Sequence, residues 1–173
     1  MTPFATLAIG GLSKDQLLAE AKPYIANDVY GASRDLVTEV EVSGDCVDVF
    51  FVTLDIADLG FTDAKRPHTN EFMTEAFCKR WSGQRLKNQS IHLCRSEDAL
   101  WLAKGWQADW GDLHAILAMD LVTIAWISNQ AIWQVSCAPE HCEARGFITF
   151  DRARRVWHPE QKILFRLRQN LGA

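Results

Sequence analysis

An α+β fold is what this sequence predicts, on three observations. A capped amphipathic helix follows a short apolar run near the N-terminus. Two stretches between 36 and 56 alternate apolar and polar residues around a Ser-Gly-Asp turn. A second capped helix and a further strand come after them.

The elements read as follows. Phe4 to Ile9 is an apolar run ended by Gly10-Gly11, and it reads as a strand. Ser13 with Gln16 three residues later forms a capping box, which opens a helix. Leu17, Leu18, Ala21 and Ile25 supply its apolar face. Pro23 lacks an N–H and must kink or split that helix, and Gly31 is a stop signal. Leu36 to Val42 and Cys46 to Ile56 read as a β-hairpin with its turn near Ser43-Gly44-Asp45. With a Gly44-Asp45 loop, Glu41 lies opposite Asp48 and Glu39 opposite Phe50. Ala57 to His68 is a loop. A helix runs from about Asn70 to Trp81, and Ser90 to Arg95 is a strand.

Residues 1–95 therefore read β-α-β-β-α-β. This is the order of the ferredoxin-like split β-α-β unit, with two helices covering one face of a four-stranded sheet. Residues 96–173 read as an extension packed on that unit in one domain, with a buried helix and a terminal β-hairpin. Ser96 caps a short helix ending near Gly105. Arg145 to Phe150 and Lys162 to Arg168 are the terminal strands.

The longest apolar stretch, Asp109 to Cys137, allows two readings. As one long helix it has a narrow polar stripe. Asp112, Thr123, Gln130 and Gln134 fall within about 40° at ~100° per residue, and a helix apolar over so wide a surface belongs in the core. The other reading is a helix over 109–119 and a hairpin whose strands are 121–127 and 131–137. Short apolar runs are ambiguous in this way. A membrane span needs ~20 predominantly apolar residues; here His114, Asp120 and Ser128-Asn129-Gln130 interrupt the run, so no membrane partner is expected.

The chain has 173 residues and 48% hydrophobic residues, enough for a buried core and too many for a disordered protein. No basic region followed by an apolar run opens the chain, so a secretory signal is not expected. Five cysteines, an odd number without a regular framework, fit a reducing cytosol. Net charge is −4, unevenly spread: residues 1–63 hold eleven acidic and three basic side chains, and residues 143–173 hold three acidic and seven basic. Such asymmetry fits either separate partners or two ends lying against each other.

Three constellations could carry function. The first is Glu39, Glu41 and Asp48 near the expected hairpin tip. Carboxylates gathered there suit a basic partner surface or a divalent cation, with a solvated face as the plain alternative. The second is Cys137, His141 and Cys142, whose thiolate and imidazole donors suit zinc, with His92 and Cys94 able to complete the set; buried small hydrophobes are the plain alternative. The third is the basic tail, Arg152, Arg154, Arg155, Arg166 and Arg168 among Phe147, Phe150, Trp157 and Phe165. Cations interleaved with aromatics can bind phosphates and stack bases. Trp101, Trp106 and Trp110 add an aromatic cluster of the kind enriched at interfaces. Gly10-Gly11 fits a tight turn better than a phosphate cradle, since it lacks the dinucleotide and Lys-Ser/Thr patterns. No G-x-S-x-G or H-E-x-x-H pattern occurs.

The expectation is a non-catalytic cytosolic protein of inhibitor, immunity or accessory type that binds another protein and needs no cofactor. Glu39, Glu41, Asp48, Trp101, Trp106 and Trp110 are its expected contact residues. Nucleic-acid binding by the basic tail and zinc binding by Cys137, His141 and Cys142 are the alternatives.

Overall fold

The structure, a computed structural model, describes residues 1–27, 31–124, 129–149 and 157–169. Among the described residues, eight strands form one mixed sheet, accompanied by five α-helices. The strands are β1 (Ala5–Ile9), β2 (Val47–Asp55), β3 (Gln89–His92), β4 (Leu113–Leu117), β5 (Val122–Ile124), β6 (Asn129–Ala138), β7 (His141–Thr149) and β8 (Lys162–Gln169). The helices are α1 (Lys14–Ala21), α2 (Ala32–Thr38), α3 (Thr69–Phe72), α4 (Glu75–Arg85) and α5 (Asp98–Gly105).

Strand β8 lies at the centre. It pairs with β2 on one edge, while β3 and β4 share the other; the β4 pairing is parallel and the rest are antiparallel. Strand β6 repeats this arrangement, with β7 on one edge and β4 and β5 sharing the other. Helix α5 explains the curl of the sheet. Its sequence, DALWLAKG, buries Ala99, Leu100, Leu102 and Ala103, and it contacts β1 near one end of the sheet and β6 and β7 at the other. A helix apolar on most sides needs cover on most sides, and the bent sheet supplies it.

The first helix follows the sequence closely. Ser13 and Gln16 form the capping box, α1 ends at Ala21, and Pro23 sits in a one-turn 3-10 segment, Lys22–Tyr24. Gly31 is not the stop of that helix; it is the N-cap of α2 at φ +68°. Gly10, at φ +108°, permits the turn after β1. An added Cβ there would lie 2.1 Å from the Asp45 carbonyl oxygen. The Gly11 N–H is donated to the Ser43 carbonyl at 3.2 Å, so this turn packs on the 43–45 loop.

Three readings are corrected. Residues 36–42 are not a strand. Ala32, Ser33 and Leu36 bury at helical spacing, and the Ser33 hydroxyl accepts the Gly146 N–H at 2.7 Å. That contact with β7 outweighs the local β-branched alternation. Strand β2 therefore pairs with β1 and β8 rather than with 36–42, and the β-α-β-β-α-β order does not form over residues 1–95. Neither form of helix appears at the start of the long apolar stretch. Residues 113–117 are a strand between β6 and β8 with four of five side chains buried. The hairpin part of the second reading does form, from β5 and β6, with Val122 opposite Ala131; of its expected loop, Ser128-Asn129-Gln130, the first residue lies outside the described residues and the other two begin β6 instead. The terminal strands β7 and β8 exist but do not pair with each other. Because β8 from the C-terminal half joins β2 and β3, both halves share one sheet. Among the described residues no helix is long and apolar enough to cross a membrane.

Candidate functional site

The loop after α2 and the segment between β3 and α5 meet at a buried polar knot. Glu97 is fully buried. Its carboxylate accepts the Ser43 N–H at 3.1 Å, the Ser43 hydroxyl, and the Trp101 indole N–H at 3.3 Å. Arg95 donates Nη1 to Ser43 Oγ at 2.7 Å and stands 4.0 Å from Glu97 Oε1. Next to Glu97, Asp98 is also fully buried. Arg166 of β8 donates Nε to its Oδ2 at 2.6 Å and Nη2 to its Oδ1 at 2.5 Å, and Arg95 adds a backbone N–H at 2.9 Å. A charge out of water needs partners of this quality, or its burial costs several kcal/mol, roughly.

Above this knot is a cleft of about 500 Å³. Glu39, Glu41 and Asp120 line it, all exposed to solvent, over an apolar floor that includes Met119, Val42 and Val122. Ser96 fixes the first two carboxylates through their backbone. Its hydroxyl accepts the Glu41 N–H at 3.3 Å and donates to the Glu39 carbonyl at 3.5 Å. Arg95 is the cation at the cleft, and Ser43 and Glu97 already engage its guanidinium. Cys94 at the base is a neutral thiol: burial pushes its pKa well up, with Asp98 adding to the effect. It donates to the Leu164 carbonyl at 3.4 Å. The cleft is therefore equipped to hold cations rather than to attack an electrophile.

The structure divides the expected contact residues. Glu39 and Glu41 share the cleft, but Asp48 is on β2 opposite Ala8, not opposite Glu41. The expected cross-strand pairing of Asp48 is thus lost with the hairpin. Trp106 and Trp110 stack edge-on at 5.3 Å between centroids, with Phe4 6.2 Å from Trp106. Trp101 lies under Lys104, whose Nζ is 4.2 Å from the ring centroid. All three tryptophans are half-buried, packed against the core.

In the basic tail, Arg152, Arg154 and Arg155 lie outside the described residues. Arg166 is turned inward to Asp98, and Arg168 is exposed. In the proposed zinc set, Cys137 and Cys142 stand directly opposite each other on β6 and β7 and form a disulfide. His141 is exposed while its neighbour Cys142 is buried, as strand alternation requires. His92 is engaged instead with Glu75. Among the described residues no three His, Cys, Asp or Glu side chains are grouped to hold a metal ion.

Sequence reading missed Asp120 and Arg95, and it made Ser96 a helix cap, whereas Glu97 is the N-cap of α5 and the Ser96 hydroxyl serves Glu39 and Glu41. Asp120 registered only as an interruption of an apolar run. Arg95 and Ser96 lie more than fifty positions from the loop they hold, so no local pattern announces them. No protein-family model, curated protein or solved structure matches this chain.

Proposed function

We propose that the chain works by binding another protein, and that a basic segment of that partner enters the cleft lined by Glu39, Glu41 and Asp120. One observation carries this reading: three exposed carboxylates, two from the loop after α2 and one from the segment between β4 and β5, line one cavity with an apolar floor. The floor suits the methylene stem of a lysine or arginine, and the rim suits its charged head. The surplus of acidic side chains over residues 1–63 extends the same field and steers a basic partner toward it. The thiol at the base is neutral, which favours binding over chemistry at this cleft.

The test is titration with a lysine- and arginine-rich peptide at low salt, using an acidic peptide as control. Binding of the basic peptide alone is expected, weakening ~10-fold or more in the triple variant Glu39→Gln, Glu41→Gln, Asp120→Asn. Equal affinity in the wild type and the triple variant would remove the cleft from the reading.

A further inference from the structure

We propose that Ser90, His92 and Glu75 form a second, chemically active site, in which Ser90 is an acyl-accepting nucleophile for an anionic carboxylic ester. Ser90 and His92 are two apart on β3, so their side chains share a face. Ser90 Oγ is 2.9 Å from His92 Nε2. The other ring nitrogen, Nδ1, is 3.3 Å from Glu75 Oε2. The order hydroxyl, imidazole, carboxylate is the one that activates a serine. With Nδ1–H donated to Glu75, Nε2 keeps the lone pair that accepts the Ser90 proton.

The carboxylate is held rather than merely near. Glu75 is the first residue of α4, and its second oxygen accepts the Leu93 N–H at 3.1 Å. Ser82, further along α4, accepts the Ile91 N–H at 2.9 Å in a buried bond. Two side chains of one helix thus satisfy the outer edge of β3 and fix its position against α4. The helix start is itself capped by Thr74, whose Oγ1 accepts the Phe77 N–H at 3.1 Å.

A cavity of about 650 Å³ opens between α4 and β3, bordered by Glu75, Lys79, Lys87, Ser90 and His92. Arg168 stands directly opposite Ser90 on β8 and is exposed. Residues directly opposite across a sheet share a face. Positive charge from Lys79 and Lys87 therefore borders the cavity, and Arg168 adds to it from the register position opposite Ser90. It suits a substrate that carries a carboxylate and a transition state that gathers negative charge on oxygen.

The reaction is an acyl transfer to water. Ser90 Oγ bonds to the ester carbonyl carbon as its proton passes to His92 Nε2. The carbon–oxygen bond to the leaving group breaks, and the alcohol departs with that proton. Water then adds to the acyl carbon, again losing a proton to His92. The acid leaves, and the proton returns to Ser90. Glu75 acts through His92 and is a positioning residue.

The test uses the full chain. A fluorophosphonate probe is followed by intact-mass and peptide-level mass spectrometry, and turnover is measured with 4-nitrophenyl acetate and the 4-nitrophenyl hemiester of succinate. A single adduct at Ser90 is expected, absent in Ser90→Ala and slowed ~100-fold or more in His92→Asn. The hemiester should be preferred to the acetate, and Lys79→Met with Lys87→Met should reduce that preference. Glu75→Gln keeps an oxygen for the Leu93 N–H, so it should lower kcat and leave KM unchanged. Circular dichroism checks that each variant is folded. No adduct at Ser90, or equal turnover in wild type and a folded Ser90→Ala, overturns the proposal.

Discussion

Arg166 of β8 grips Asp98 of α5 through two nitrogen–oxygen contacts of 2.6 and 2.5 Å, inside the protein. The pair ties the central strand of the sheet to the helix around which the sheet bends. It also explains why an arginine interrupts the buried side chains of β8, Ile163 to Leu167. Removing one partner leaves the other charged and buried. Arg166→Met should therefore lower stability by ~3–5 kcal/mol, and Asp98→Leu by a similar amount. The double change Asp98→Leu with Arg166→Met should cost less than either single, because no uncompensated charge remains. Urea unfolding followed by tryptophan fluorescence measures all three. A double variant as unstable as the sum of the singles would count against the pair.

Gly146 and Gly83 should respond oppositely to alanine. At Gly146 a Cβ would lie 2.4 Å from the Ser33 backbone nitrogen and 2.5 Å from the Ala32 carbonyl carbon. This peptide group at the start of α2 cannot yield cheaply, so Gly146→Ala should cost ~1–3 kcal/mol or more and weaken the docking of α2 on β7. Gly83 is inside α4 with nothing within 4 Å of an added Cβ. Gly83→Ala should gain up to ~1 kcal/mol from helix propensity. Chemical denaturation of both variants decides, and a neutral Gly146→Ala would show that α2 is not seated there.

These two glycines mark where the sequence was legible and where it was not. Local rules found the Ser13 capping box, the break at Pro23 and strands β1, β2, β7 and β8 to within a few residues, because capping and alternation are written in adjacent positions. They missed α2, since Val37, Val40 and Val42 mimic a strand while the deciding contact is with Gly146, more than a hundred residues away. They missed β4 for a related reason. Leu113, Ala115, Ile116 and Leu117 are all buried, and a central strand covered on both faces loses the alternation that identifies it. At the cleft, Glu39 and Glu41 stood out as acidic residues, but their neighbours Asp120 and Ser96 come from other segments.

The cysteines should differ in reactivity. Cys46 is exposed, whereas Cys78 and Cys94 are buried. Burial, with the Glu75 charge adding to it, pushes Cys78 from 9.0 up to about 12. Iodoacetamide at pH 8 should modify Cys46 alone in the native protein, and Cys78 and Cys94 only after denaturation. The sign follows from linkage. A thiol with a raised folded-state pKa contributes full stability below pH 9 and loses it as pH rises toward 12. The Cys137–Cys142 bridge closes a loop of sequence separation 5, so reducing it should cost at most ~2 kcal/mol by chain entropy. A disulfide is not what a reducing compartment favours, so its redox state in cell extract also tests the cytosolic expectation. Zinc uptake on reduction, measured by elemental analysis, would bring back the Cys137–His141–Cys142 reading.

Ser43 links the buried knot to the acidic cleft, and one atom separates the two contributions. Its Oγ donates to Glu97 and accepts from Arg95, while its backbone N–H also serves Glu97. Ser43→Ala deletes only the hydroxyl and leaves every charge at the cleft in place. A fully buried carboxylate that loses a donor should cost ~1–3 kcal/mol. Arg95, released from Ser43, is then free to turn toward Glu39 and Glu41 and cancel part of their field. Affinity for the basic peptide should therefore fall in Ser43→Ala although no acidic residue has changed, and adding Arg95→Met should restore much of it. If Ser43→Ala loses stability but keeps full affinity, the knot supports the fold alone and the cleft does not depend on it.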